Sequence, residues 1–237
     1  FMAGRKFGSS GAEHLTWAMN AHVPAMVAEV YQKSRIVAFS TGCVYPYVDV
    51  TKGGATEDVP AVPPPGAYAN SCVAREAMFE HFSRKHGTPG RKIRLNYAID
   101  MRYGVLHDVA AKVHAGREID LTAGHVNVIW QGDANSAILR MLAHCTTPTT
   151  PINISGPETI SIRWLATEFG KLFSTEPKFT GKEASDGWLV NTTKARALLG
   201  EPSVPLSRMI VWTADWISRD QKSLGKETHY DTRDGTF

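Results

Sequence analysis

Thr41 lies in FSTGCVYP (Phe39 to Pro46), and Tyr68, Cys72 and Arg75 lie in AYANSCVARE (Ala67 to Glu76). A phenol titrates near pH 10 when free, so it moves a proton at neutral pH only if a cation beside it stabilises phenolate. On a helix, the side chain four positions along shares its face. Here that position is Cys72, which carries no charge and at most a weak S–H donor. Arg75, seven positions along, leans back towards Tyr68 and could supply the charge, or it could pair with an acid on the surface. Cys72 reads as a small apolar filler or as a nucleophile; a reactive thiolate needs an electropositive setting and a base that its neighbours do not offer. Taken alone, Thr41 is a strand-end hydroxyl bonding local backbone and Tyr68 an aromatic at a helix start.

The elements that must hold these residues follow from periodicity. Residues 13–33 and 68–85 carry helical patterns, the first interrupted by Pro24, which predicts a kink or adjustment near Asn20. Residues 35–40 and 92–95 read as strands, and residues 45–66, rich in Gly, Pro and acid, as a surface loop. Further helices are expected at 105–115, 133–143 and 161–173, two short ones within 194–220, and strands at 127–130 and 151–154. Alternating strands and helices predict a parallel α/β sheet.

The chain has 237 residues, 43% hydrophobic and 21% charged, enough for one domain or one domain with an appendage. The formal net charge is +3, and the one basic cluster, Arg84, Lys85, Arg91, Lys92 and Arg94, is too modest to predict nucleic-acid binding. Three cysteines without CxxC spacing and nine histidines without HxH or HxxxH pairing suggest neither a disulfide framework nor a metal site. No apolar run of membrane-spanning length and no signal segment is read, so a cytoplasmic protein without membrane association is expected. The opening FMAGRK reads as the interior of something longer.

Four segments together resemble the extended short-chain dehydrogenases/reductases, the group of NAD(P)-dependent sugar epimerases and dehydratases. FSTGCVYP resembles the family's SSxxVYG, and ATEDVPAVPPPGAY its TExxPxxPxxxY loop. INISGPETISIRWLA is similar to NxGxxxxxSxxELA, and VNTTKARALLGEP to DxSKAxxxLGxxP. Each is weak alone; in this order they are fairly specific. The resemblance implies an α/β, doubly wound, Rossmann-like parallel sheet lacking its first strands, with a small C-terminal substrate-binding portion. Residues 1–98 and 126–155 would belong to the dinucleotide-binding domain, and 99–125 and 156–237 to the substrate-binding portion.

It further implies that Tyr68 is the acid/base on a sugar hydroxyl or carbonyl and that Thr41 hydrogen-bonds the same oxygen, while NAD or NADP takes or returns a hydride. Where the family has lysine, this chain has Cys72. GRKFGSSG (Gly4 to Gly11) imitates a glycine fingerprint, but a fingerprint follows a full strand, and only three residues precede Gly4. MAGRK instead resembles the end of the family's fourth strand, which makes Ala3, Gly4 and Lys6 cofactor contacts, with Asn20 turned towards the cofactor as well. Thr41, Tyr68, Cys72 and Asn96 complete the expected cofactor set, and the family's fingerprint and first three strands would precede residue 1.

In RLNY (Arg94 to Tyr97) the family's asparagine falls one position early, at Asn96, and Tyr97 takes its place; either could touch nicotinamide or substrate. In VNVIWQGD (Val126 to Asp133) the family's diphosphate-binding arginine is Val126, which favours a polyol, sugar or sugar acid over a nucleotide sugar. Asp133 is expected to cap the next helix. Arg102 and His125 fall in segments that would face the cleft without being catalytic. A homodimer through helices 13–33 and 68–85 is implied. The rival reading is a non-catalytic dinucleotide or metabolite sensor that has lost the lysine.

Overall fold

The computed structural model describes residues 1–6 and 11–233; half of GRKFGSSG, residues 7–10, lies outside the described residues. In chain order the elements are α1 (Glu13–Trp17), a π-helical turn (Ala18–His22), α2 (Val23–Val30), β1 (Ile36–Thr41), β2 (Val48–Asp49), α3 (Ala67–His86), β3 (Gly90–Leu95), β4 (Ala98–Ile99) and α4 (Val105–His114). There follow β5 (Glu118–Asp120), β6 (His125–Val126), β7 (Ile129–Trp130), α5 (Gln131–Arg140), β8 (Thr150–Ile154), β9 (Ile160–Ser161), α6 (Ile162–Phe173), β10 (Lys178–Thr180), β11 (Asp186–Gly187), α7 (Thr193–Leu199) and α8 (Leu206–Ser218). β1, β3 and β8 form a parallel sheet in the order β1-β3-β8, with Thr41 opposite Leu95 and Leu95 opposite Ile154. Phe1 lies along the other side of β1, its amino group on the Val37 carbonyl and its own carbonyl accepting from Phe39 N–H.

The expected helices and strands form within a few residues of their predicted limits. Pro24 has no N–H to return to the Asn20 carbonyl four residues back, and Asn20 lies in the π turn that joins α1 to α2. Two expectations need correction. The loop after Tyr45 is not purely a surface feature: Tyr45 and Ala55 are buried, and β2 pairs antiparallel with β11. Asp133 does not cap α5. It sits within the first turn, and its carboxylate accepts from Ser203 Oγ at 2.5 Å and Val204 N–H at 2.9 Å, fastening α5 to the segment before α8.

One apolar cluster fills the space between the main sheet and α5, with Ile93, Ile152, Ile154, Ile138 and Met141. A larger one joins α4, α6 and α8 through Leu106, Val109, Leu165, Phe169 and Met209. The seam beside them is polar and fully engaged. Asn96 Nδ2 donates to Asn127 Oδ1 at 2.7 Å and to the Trp188 carbonyl at 3.1 Å. Asn127 Nδ2 reaches the Val190 carbonyl at 2.8 Å, and Asn153 Nδ2 those of Ala55 and Asn191 at 2.9 and 3.0 Å. Buried amides cost free energy unless paired, so these asparagines fix residues 188–191 against segments far away in sequence. No helix among the described residues is long and apolar enough to cross a membrane.

Candidate active site

Thr41 is the last residue of β1, and the following short helical turn begins on its side chain: Thr41 Oγ1 accepts from Cys43 N–H at 3.2 Å. Gly42 passes close to Asn96, where a Cβ would stand 3.0 Å from the amide oxygen. Tyr68 is in the first turn of α3, which starts after Gly66 at φ 143. The parallel sheet brings the ends of β1 and β3 side by side, so Thr41, Tyr68 and Asn96 reach one cavity of about 320 Å³. Gly4 and Lys6 line it from the N-terminal segment, Arg75 from α3, and Tyr97, Tyr103 and Thr228 from the remainder of the chain. That volume is at the lower end of the range for small-molecule sites.

Arg75 lies deep in the wall, 6% exposed. Its Nη2 donates to Asn20 Oδ1 at 2.5 Å, its Nη1 to the Phe39 carbonyl at 2.9 Å and its Nε to the Asn20 carbonyl at 3.4 Å. Asn20 Oδ1 also accepts from Arg5 N–H at 2.8 Å, and Asn20 Nδ2 donates to the Arg5 carbonyl and to Ser71. Gly4 is held against this clamp: at φ +155, a Cβ there would lie 2.2 Å from Arg75 Nη2. The N-terminal segment is thereby pinned beside the cavity.

Burial pushes the Tyr68 phenol well above its ordinary value, and the neighbouring Cys72 and Cys43 thiols push the same way; a hydrogen bond with the Thr41 side chain and the charge of Arg75 oppose them without prevailing. The Tyr68 phenol is therefore neutral at neutral pH in this arrangement. Cys72 is completely buried beside Val44, Tyr45, Ala55 and Val190, and burial lifts its thiol to about 11; the Cys43 thiol is lifted to about 12 by the same cause. Neither is a thiolate at neutral pH, which favours the filler reading of Cys72 over the nucleophile.

Of the residues singled out in the sequence, Thr41, Tyr68, Gly4, Lys6 and Asn96 meet at the cavity. Ala3 is exposed next to it, Asn20 stands behind it holding Arg5 and Arg75, and Cys72 is buried behind Tyr68 without lining it. Among the described residues the charged side chains lining the cavity, Arg5, Lys6 and Arg75, are all cationic. Sequence reasoning missed the packing role of Glu76. Its carboxylate accepts from Arg94 Nε and Nη2 at 3.0 and 2.8 Å and from Ser40 Oγ at 2.6 Å, a buried network joining α3 to β1 and β3. The placing of Arg94 on an expected strand, in a basic cluster too modest for nucleic acid, was its only trace.

No family model matches the chain. No curated protein matches it either. Solved structures do. UDP-glucuronic acid 4-epimerase from Bacillus cereus in complex with NAD is 17% identical, with a TM-score of 0.76 over 92% of this chain and 71% of that chain. MoeE5 in complex with UDP-glucuronic acid and NAD is 16% identical, with a TM-score of 0.73 over 92% and 78%. dTDP-glucose 4,6-dehydratase from Bacillus anthracis str. Ames in complex with NAD is 16% identical, with a TM-score of 0.75 over 89% and 71%. At these identities the likeness is one of architecture: this chain shares the Rossmann-like α/β fold of these solved structures.

Proposed function

We propose that the chain is an NAD(P)-dependent oxidoreductase of the epimerase/dehydratase type acting on a sugar, polyol or sugar acid. The observation that carries this reading is the convergence of Thr41 and Tyr68 on a cavity whose charged lining is entirely cationic. Such a lining suits the diphosphate of a dinucleotide, and the side-chain-free backbone at Gly4 permits close approach. Gly4, Lys6 and Asn96 would hold the cofactor, which when bound supplies or accepts a hydride. Tyr68 holds the proton that leaves or returns to the substrate oxygen, and Thr41 orients that oxygen. Residues 99–125 and 156–237 would provide the substrate wall, through Tyr103 and Thr228. A homodimer would form through residues 13–33 and 68–85, and the apolar side chains Leu15, Trp17, Met26 and Val30 are exposed along the first of these.

The second reading, a dinucleotide sensor without turnover, is favoured by one observation: the Thr41 hydrogen bond and the Arg75 charge do not outweigh the burial that keeps the Tyr68 proton in place. NADH fluorescence titration followed by hydride exchange with a panel of sugars separates the two. Exchange that disappears in Tyr68→Phe supports the enzyme, binding without exchange supports the sensor, and exchange that survives in Tyr68→Phe removes the acid/base role.

A further inference from the structure

Besides Tyr68 the cavity has two more phenols, Tyr97 and Tyr103; the Tyr97 ring also packs on the core formed by α4, α6 and α8. Tyr97 occupies the connection between β3 and β4, its carbonyl accepting from Ile129 N–H at 3.1 Å. Tyr103 closes a turn with Asp100 through reciprocal backbone bonds of 3.0 and 3.3 Å, and Lys6 Nζ stands 6.0 Å from its ring centre. Both side chains line the same cavity as Thr41 and Tyr68. Neither hydroxyl has a hydrogen-bond partner among the described residues, and neither residue has any further contact of that kind. Burial raises both phenols above their ordinary value, so each is a neutral O–H donor at physiological pH.

The backbone at Tyr97 sharpens the point. Its φ is +39, in the left-handed region that a bulky side chain enters only at a cost of roughly 1–2 kcal/mol. Asparagine tolerates that region far better, so an aromatic there is held against its preference by the surrounding structure. Strain kept in a cavity wall is a sign of function. Tyr97 also lines a neighbouring space of only about 10 Å³, bordered by His125, Trp188, Tyr230 and Arg233, where the Tyr230 hydroxyl (4% exposed) is likewise without a partner. That space admits one water at most. A larger ligand that meets Tyr97 therefore does so from the side of Thr41 and Tyr68.

We infer that Tyr97 and Tyr103 form the recognition wall for a sugar ring, with the Tyr97 hydroxyl donating to a ring hydroxyl other than the one that reacts. Two aromatic faces with free phenolic donors suit a polyhydroxylated ring: its C–H surface lies on the rings, and its oxygens take the O–H groups. The inference rests on the proposed substrate site, and it adds the residues that select for a sugar.

The test titrates D-glucose, D-glucuronate and UDP-glucose against the protein by calorimetry, each with and without NADH, so that free and nucleotide-linked sugars are distinguished. Tyr97→Phe retains the ring and should melt with the wild type, yet bind the preferred sugar about fivefold more weakly; Tyr103→Phe should weaken it by a similar factor, and NADH affinity should not change in either. Equal sugar affinity in Tyr97→Phe and wild type overturns the inference, as does failure of all three sugars to bind, whether or not NADH binds. Sugar binding that weakens in Tyr97→Phe in a protein indifferent to NADH upholds the wall and removes the dinucleotide reading instead.

Discussion

Arg75 grips Asn20 at two atoms, Oδ1 and the main-chain carbonyl that Pro24 leaves without its helical donor. The sequence suggests that this arginine might replace a missing lysine beside Tyr68. In the structure its hydrogen bonds go elsewhere, to Asn20 and Phe39, and only its charge reaches the phenol. Arg75→Lys keeps the charge but cannot span three acceptors with a planar fork. It should cost about 2 kcal/mol in urea unfolding, in line with lost bonds from a charged donor, and should loosen the segment containing Gly4. A wild-type midpoint in Arg75→Lys would show that the clamp is not structural.

Restoring a cation next to the phenol should reverse the direction of its shift. In Cys72→Lys the ammonium would favour phenolate, lowering the Tyr68 pKa by about one unit or more, and the tyrosinate absorbance of that variant should begin to rise at correspondingly lower pH. Cys72→Met, a neutral replacement, is the control: it removes the thiol without adding a cation and should shift the Tyr68 titration far less than Cys72→Lys does. Identical titrations in the two variants would refute the electrostatic account of the site.

Glu76 is 4% exposed and compensates Arg94, with Lys92 Nζ 3.8 Å away. Removing its charge leaves a guanidinium buried without its carboxylate, so Glu76→Gln should destabilise the fold by about 3–5 kcal/mol. The double variant Glu76→Leu, Arg94→Met removes both charges and should recover most of that loss. Denaturant unfolding measures both; a double variant no more stable than Glu76→Gln would contradict the pairing.

Burial raises the phenols of Tyr45, Tyr68, Tyr97 and Tyr230 in the folded chain. A folded pKa above the unfolded one, near 10, means that the protonated phenol is favoured in the fold. That stabilisation is present in full below about pH 10 and is lost as pH climbs towards the folded values. The denaturant midpoint, as far as these phenols set it, should hold through neutral pH and fall above about pH 10, with tyrosinate absorbance appearing together with loss of circular dichroism. Ionisation of all the tyrosines ahead of any loss of structure would oppose this.

Sequence periodicity was sufficient for α3, β1, β3, β8 and the C-terminal helices, because each has a face that must be buried and a short, well-marked limit. The convergence of Thr41, Tyr68, Gly4, Lys6 and Asn96 followed from motif order. What periodicity does not carry is the destination of a polar side chain. Arg94 and Lys92 are only part of a modest basic cluster until Glu76 is placed across from them, and Asp133 looks like a cap until Ser203 approaches from seventy positions away. Tyr97 was noticed only as an occupant of another residue's place, since backbone handedness leaves no mark on composition.

The asparagine contacts to residues 188–191 also set an order of events in the cell. Asn96, Asn127 and Asn153 are made by the ribosome well before Trp188 and Val190; Asn96 can already pair with Asn127, and Asn153 with Ala55, but the remaining bonds of these amides wait for that short segment. The nascent sheet must persist with an open polar seam in the meantime. Synthesis proceeds from the N-terminus, and incompletely packed intermediates are prone to aggregate. Between synthesis of β8 and arrival of the strap at residues 188–191, the growing chain therefore carries a seam of amides that are only partly paired.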